Sequence, residues 1–137
     1  MASGPDARPE TLALTPYAHS LGIRLERWEA DTPVLAVDFG EEVEGRPEHY
    51  HGGATSGLLE TAAYAALRAR LADRDEIPQL KPINITVQFL AAAKAQTLYA
   101  RARITKLGRR NANVAVEAWQ DDPDRPRATA IMNILVA

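Results

Sequence analysis

One stretch of this chain has a helical period, and the segments around it have a period of two. From Gly52 to Ala72 the apolar residues Leu58, Leu59, Ala62, Ala63, Ala66, Leu67 and Leu71 fall on one broad face. A helix of that span is about 30 Å long. Before it, Ile23 to Trp28 alternates apolar and charged residues, and Val34, Leu35, Val37 and Phe39 form a second strand after a break at Asp31-Thr32-Pro33. A short helix opens the fold, with Thr15 as N-cap, Pro16 at its first position and Gly22 at its end. After the long helix come four more strands. Ile83, Ile85, Val87 and Phe89 alternate with polar residues, and so do Leu98, Ala100, Ala102 and Ile104. Asn113 to Trp119 returns after a turn at Leu107-Gly108-Arg109, and Ala128 to Val136 follows a second turn at Asp121 to Pro126. Consecutive hairpins imply an antiparallel sheet, so the expected class is α+β: about six strands wrapped around one long central helix. Ile131 and Leu135 face one side of the last strand while Met132, Ile134 and Val136 face the other. Two apolar faces predict that another subunit covers part of the sheet.

The chain's 137 residues make one domain. Area scaling gives a folded surface of roughly 7,000 Å² against roughly 22,000 Å² unfolded, enough burial for a core without staples. With no cysteine there is no disulfide framework, thiolate nucleophile or cysteine zinc site. A net charge of -2 argues against a dedicated nucleic-acid binder. Residues 1–14 read as a flexible tail, with no signal-peptide core in Met1 to Glu10. Glu60, Arg68 and Arg70 interrupt the most apolar stretch, each at about 2.5–3.5 kcal/mol in a bilayer centre, so no membrane span is expected. The expectation is a soluble, cytoplasmic domain over 15–137.

Few groups are left to do chemistry. Ser56 lacks the glycines of a nucleophile elbow, because Ala54 and Leu58 stand where they are needed. His49 and His51 would share a face of an extended segment, but the spacing fits a loop histidine and a turn histidine better than a metal pair. Asp121, Asp122 and Asp124, broken by Pro123, read as a hairpin turn and not as a calcium loop. Gly52-Gly53 at the start of the long helix is more informative. Glycines there let a ligand reach free N–H groups at the positive end of the helix, a ready oxyanion site, or else they simply permit a tight turn. Glu60 sits among Leu58, Leu59, Ala62 and Ala63, so it is either an acid drawn toward apolar surroundings and suited to general-base work, or a rim residue paired with Arg68. Gly53 and Glu60 lie on nearly the same face but about 10.5 Å apart along the axis. One carbonyl cannot contact both within a single chain. Two such helices packed antiparallel would bring Glu60 of one to Gly53 of the other.

His51-Gly52-Gly53, the acid Glu60 nine positions after His51, and Asn84-Ile85-Thr86-Val87-Gln88-Phe89-Leu90 together resemble the hotdog-fold acyl-CoA thioesterases. The branch they resemble is that of the phenylacetate-pathway and 4-hydroxybenzoyl-CoA enzymes, and the resemblance covers residues 15–137. It implies a hotdog fold that hydrolyses a small or medium acyl-CoA without metal or cofactor. Gly53 N–H and the helix dipole would polarise the thioester carbonyl. Glu60 of the partner subunit would act as base or as nucleophile through an anhydride, and His51 would shape the loop. Gly52 would border the substrate, and His49, Tyr64 and the loop from Asp73 to Leu80 would shape the acyl pocket. Arg101 to Arg110 carries five basic residues and no acid. Its Lys106, Arg109 and Arg110 would hold the coenzyme A phosphates, unless they only protect a solvated strand edge.

The chain departs from that pattern where relatives carry an asparagine or glutamine before the histidine-glycine-glycine motif. Gly45 to Tyr50 has neither, which leaves His49 or Tyr50 in that place. Tyr64 stands where some relatives have a small hydroxyl residue, and Pro82 stands near another such position. The expected assembly is a homodimer or a dimer of dimers with sites at the dimer interface and no nucleic acid or membrane partner. The alternatives are a hotdog protein that binds acyl-CoA without turnover and a dehydratase using His51 with Glu60.

Overall fold

The computed structural model describes residues 12–76 and 78–137. The elements run α1 (Pro16–Leu21), β1 (Arg24–Glu29), β2 (Thr32–Val37), α2 (Gly52–Arg70), β3 (Leu80–Phe89), β4 (Leu98–Leu107), β5 (Asn111–Trp119) and β6 (Ala128–Val136). The six strands form one antiparallel sheet in the order β1-β2-β4-β5-β6-β3. The sheet wraps around α2 in the hotdog arrangement. Of the expected tail, residues 1–11 lie outside the described residues, while Leu12 and Leu14 are half-buried against the core. Ile77, in the loop expected to border an acyl pocket, also lies outside them.

α1 starts and stops as its sequence predicts. The Thr15 hydroxyl accepts from the Ala18 N–H at 3.1 Å, Pro16 opens the first turn, and Gly22 closes it with φ 79°, a left-handed conformation. α2 buries Leu58, Leu59, Ala62, Ala63 and Leu67 completely against the sheet, which supplies Leu35, Leu98, Val114, Met132 and Ile134. The many alanines let the sheet backbone approach the helix closely while leaving helix propensity intact. The helix ends at Arg70, with Leu71 capping it.

The starts of β2 and β3 differ from the sequence reading, each for a local reason. The β1–β2 turn is Ala30-Asp31, with Ala30 at φ 53°, so Thr32 and Pro33 belong to β2. Pro33 is tolerated there because the β2–β4 ladder covers only Leu35 to Val37, and no partner strand asks for its missing N–H. β3 begins at Leu80, and its pairing with β6 steps from Pro82–Ile134 to Asn84–Asn133. Ile83 is the extra residue of that bulge and is 50% exposed, not part of the inner face with Ile85 and Val87.

The two sheet edges differ in charge. β1 carries Arg24, Glu26, Arg27 and Glu29, tied by ion pairs that include Arg27–Glu29 at 2.9 Å and Arg24–Asp38 at 2.9 Å. β3 has no charged residue from Ile83 to Phe89. On the outer face, Arg101 bonds Glu29 at 2.7 Å and Glu117 at 2.9 Å, and its guanidinium lies 4.9 Å from the Trp119 ring centre. Asn113 donates to Asn133, which donates to Asn84 at 2.9 Å, a ladder across β5, β6 and β3. Ile131 stands exposed beside this ladder, while Met132, Ile134 and Val136 are buried beneath.

The hydrogen bond from Arg27, with a second from Arg101, holds the Glu29 carboxyl below its ordinary range against the opposing effect of burial. A carboxylate depressed in this way stabilises the fold above its unfolded-state pKa and loses that contribution as the pH falls through the folded value. Glu29→Gln is therefore expected to cost under about 1 kcal/mol near neutrality, because the pair is partly solvent-screened. The difference should vanish in acid, which urea unfolding near pH 7 and near pH 3 would show.

Candidate active site

His51 is the N-cap of α2, with φ -64° and ψ 138°. Its Nδ1 accepts the Gly53 N–H at 2.8 Å, so in the neutral ring the proton sits on Nε2. Gly53 therefore differs from the expected open oxyanion donor, because its N–H already serves the cap. The N–H of Gly52, at the first helical position, has no acceptor among the described residues. That makes Gly52 the open donor at the positive end of the helix. Phe89 lies beside it: a Cβ on Gly52 would stand 3.4 Å from the Phe89 ring.

The loop before the helix is pinned at several points. The His51 N–H donates to Val43 O at 2.7 Å and the Tyr50 N–H to Ala93 O at 3.0 Å. The Tyr50 hydroxyl lies 3.0 Å from Val37 O and 2.7 Å from Gln96 O, and its ring meets Phe39 edge-on at 5.3 Å. Burial pushes this phenol well above its ordinary range. With both oxygens claiming its single proton, Tyr50 is a clamp and not a replacement for the absent amide. The half-buried His49 donates from Nδ1 to Pro47 O at 2.8 Å, so in the neutral ring its Nε2 is an acceptor.

A cleft of about 350 Å³ opens at this end of the molecule, lined by Gly52, His49, Phe89, Leu90, Arg46 and Arg127 among others. Phe89 and Leu90 are more than half exposed. Sequence reading passed over Arg46, Leu90 and Arg127 as site residues. Arg46 looks like one more loop charge and Arg127 like a turn residue, and only the fold sets them beside Gly52.

Glu60 is half-buried on α2 and lies outside this cleft. Tyr64 and Arg68 follow it one and two turns on. Burial, and then the negative charge of the adjacent Glu60 carboxylate, pushes the Tyr64 hydroxyl up from its ordinary range. The Arg68 guanidinium lies 5.8 Å from the Tyr64 ring centre and opposes that shift. Lys106, Arg109 and Arg110 are exposed around the β4–β5 turn, at the other end of the sheet. Lys106 lies eight residues along β4 from Leu98, about 27 Å from the end that holds Gly52. Within one protomer they do not meet the helix start. Among the described residues no group of three or more histidines and acids is placed to hold a metal ion, and no helix is long and apolar enough to cross a membrane.

Residues 44–135 match the family model described as the acyl-CoA thioesterase N-terminal domain. No curated protein matches the chain significantly. Among solved structures, a protein from Chromobacterium violaceum is 30% identical, with a TM-score of 0.72 over 89% of this chain and 83% of that one. A mutant form of the phenylacetic acid degradation protein PaaI from Thermus thermophilus is 19% identical, with a TM-score of 0.74 over 88% and 98%. A Bacillus halodurans protein solved with CoA is 19% identical, with a TM-score of 0.78 over 90% and 79%.

Gly45 carries the tightest constraint in the loop, since a Cβ there would stand 2.9 Å from the His51 backbone Cα. Gly45→Ala is expected to destabilise the fold by about 1–3 kcal/mol, the usual range for overpacking. Gly40→Ala, whose Cβ would meet only a Glu42 carboxylate oxygen at 3.4 Å, should cost much less. Urea unfolding of the two variants compares them directly.

Proposed function

Because the chain belongs to the acyl-CoA thioesterase family and is a thioester hydrolase, we propose that it cleaves a small or medium acyl-CoA to free acid and CoA at a site shared by two copies. The observation that carries this reading is the open Gly52 N–H at the helix start with Glu60 eight residues beyond it. That spacing is about 12 Å along the axis. A carbonyl must lie about 3 Å from both its donor and the group that activates its attacker, so one helix cannot serve alone. A second helix, antiparallel to the first, brings its Glu60 to this Gly52.

The contrast between the sheet edges supports such a pairing. Charges on β1 repel another strand, whereas β3 is uncharged from Ile83 to Phe89 and runs into the exposed Phe89 and Leu90. The outer face around Ile131 suits a further pairing of dimers. Binding of CoA by the Bacillus halodurans protein of the same fold supports the substrate class.

In the reaction, the Gly52 N–H and the helix dipole stabilise the oxygen of the thioester carbonyl as it gains charge. The partner's Glu60 takes a proton from water as the hydroxide adds to the carbonyl carbon. Collapse then breaks the C–S bond, and the proton held on Glu60 goes to the departing sulfur. Alternatively the carboxylate attacks the carbonyl carbon and expels CoA as its thiolate, and water then hydrolyses the resulting anhydride to the free acid and the restored Glu60 carboxyl. Tyr64, one turn beyond Glu60 on the same helix, bounds the acyl group. His51 holds Gly53 so that Gly52 stays presented, and His49 lines the approach.

Thiol release from a panel of aromatic and aliphatic acyl-CoAs tests this. Glu60→Ala is expected to lower kcat by about a hundredfold to ten-thousandfold in a still-folded protein. Turnover untouched by that change would remove Glu60 from the reaction, and no wild-type turnover with tight acyl-CoA binding would replace hydrolysis by binding alone. Gly52→Pro deletes the donor with little strain, because proline suits a first helical position and His51 already has the extended conformation required before proline. It should cost about a hundredfold to a thousandfold in kcat. Gly52→Pro chains mixed with Glu60→Ala chains should regain activity that neither has alone if two copies share the site.

A further inference from the structure

The cleft beside Gly52 has a chemical character that hydrolysis alone does not require. Among the described residues its lining contains no carboxylate, although the chain has 18 acidic residues and a net charge of -2. Two other clefts each include two acids, Glu29 with Glu117 and Asp31 with Asp73. Two arginines line this one. Arg46 is exposed and makes no ion pair among the described residues. Arg127 is held from within the fold, where its Nη1 donates to Ala92 O at 3.3 Å. Its sole acidic contact among the described residues is a long one, 3.6 Å to the largely exposed Asp121. Phe89, Leu90 and several alanines form the apolar walls, and the positive end of α2 closes the inner side. Apolar walls with fixed cations at the rim suit a ligand that is apolar along its length and anionic at one end.

We propose that Arg46 and Arg127 form an anion subsite that holds an oxyanion group of the thioester substrate while its carbonyl lies at Gly52. This rests on the thioesterase reading above and assigns the anion-binding role to these two arginines, not to Lys106, Arg109 and Arg110 at the far end of the sheet. Two parts of a substrate carry such a group: the phosphates of the CoA arm, or a carboxylate at the far end of the acyl chain. Both demand the same planar, donor-rich guanidinium partners.

The test measures kcat/KM for three thioesters of matched chain length: a neutral acyl-CoA, the same acyl group on N-acetylcysteamine, and an ω-carboxyacyl group on N-acetylcysteamine. The wild type is compared with Arg46→Ala, Arg127→Gln and the double variant. If the CoA phosphates occupy the subsite, the preference for acyl-CoA over neutral acyl-N-acetylcysteamine falls about tenfold or more in the double variant, carried by KM. If an acyl carboxylate occupies it, the preference for the ω-carboxyacyl over the neutral acyl group falls instead. Both preferences remaining at wild-type values would overturn the proposal, as would a loss of the CoA preference only in a Lys106→Ala/Arg109→Ala/Arg110→Ala variant. Arg127→Gln keeps a donor for Ala92 O, so its result reads the charge and not the loop. Loss of hydrolysis in Glu60→Ala is scored separately, as kcat on neutral acyl-N-acetylcysteamine, so failure of the catalytic reading and failure of the subsite are distinguishable.

Discussion

Burial of one alanine- and leucine-rich helix in the concave face of a single sheet is the constraint on which the rest of the molecule depends. Leu58, Leu59, Ala62, Ala63 and Leu67 have no accessible surface, and the inner residues of β2, β4, β5 and β6 are shaped to them. Removing that much apolar area from water is the main stabilising effect in a domain of this size. The helix starts at the sheet end where β3 finishes, with Gly52 beside Phe89. The exposed side of α2 keeps Gly53, Glu60, Tyr64 and Arg68, the side from which chemistry is possible.

At the helix start one hydrogen bond decides which glycine does what. A helix presents several N–H groups without partners, and the His51 imidazole satisfies the one on Gly53. The donor left open is Gly52, one residue nearer the cleft and beside Phe89. Tyr50 and Gly45 keep the imidazole in place, the first by clamping the loop to β2 and to the segment after β3, the second by leaving room for the His51 backbone. The presentation of that N–H thus depends on a loop anchored by the buried Val43 and Tyr50 side chains and by backbone hydrogen bonds.

The distribution of charge carries the functional argument outward from that point. Ion pairs crowd β1 and the neighbouring outer face, where Arg101 joins Glu29 to Glu117 over Trp119. They leave β3 uncharged over its later half and leave the cleft at Gly52 with arginines and, among the described residues, no acid. One edge discourages pairing with another strand and the other permits it.

The sequence by itself determined the order of elements, the single long helix, the antiparallel sheet, the Thr15–Gly22 limits of the first helix and the acid at position 60. These rest on periodicity and capping, which act between residues a few positions apart and are written along the chain. Only the tertiary structure decided which partner each polar group takes. It assigned the Gly53 N–H to His51, turned Tyr50 into a clamp, pushed Ile83 out at a bulge, and placed Arg46 and Arg127 beside Gly52 while Lys106, Arg109 and Arg110 went to the opposite end. Arg127 stands 75 residues from Gly52 in the chain, and only the β5–β6 and β6–β3 pairings bring the two to one cleft. No local pattern records that meeting, because it is set by how the whole sheet closes around the helix.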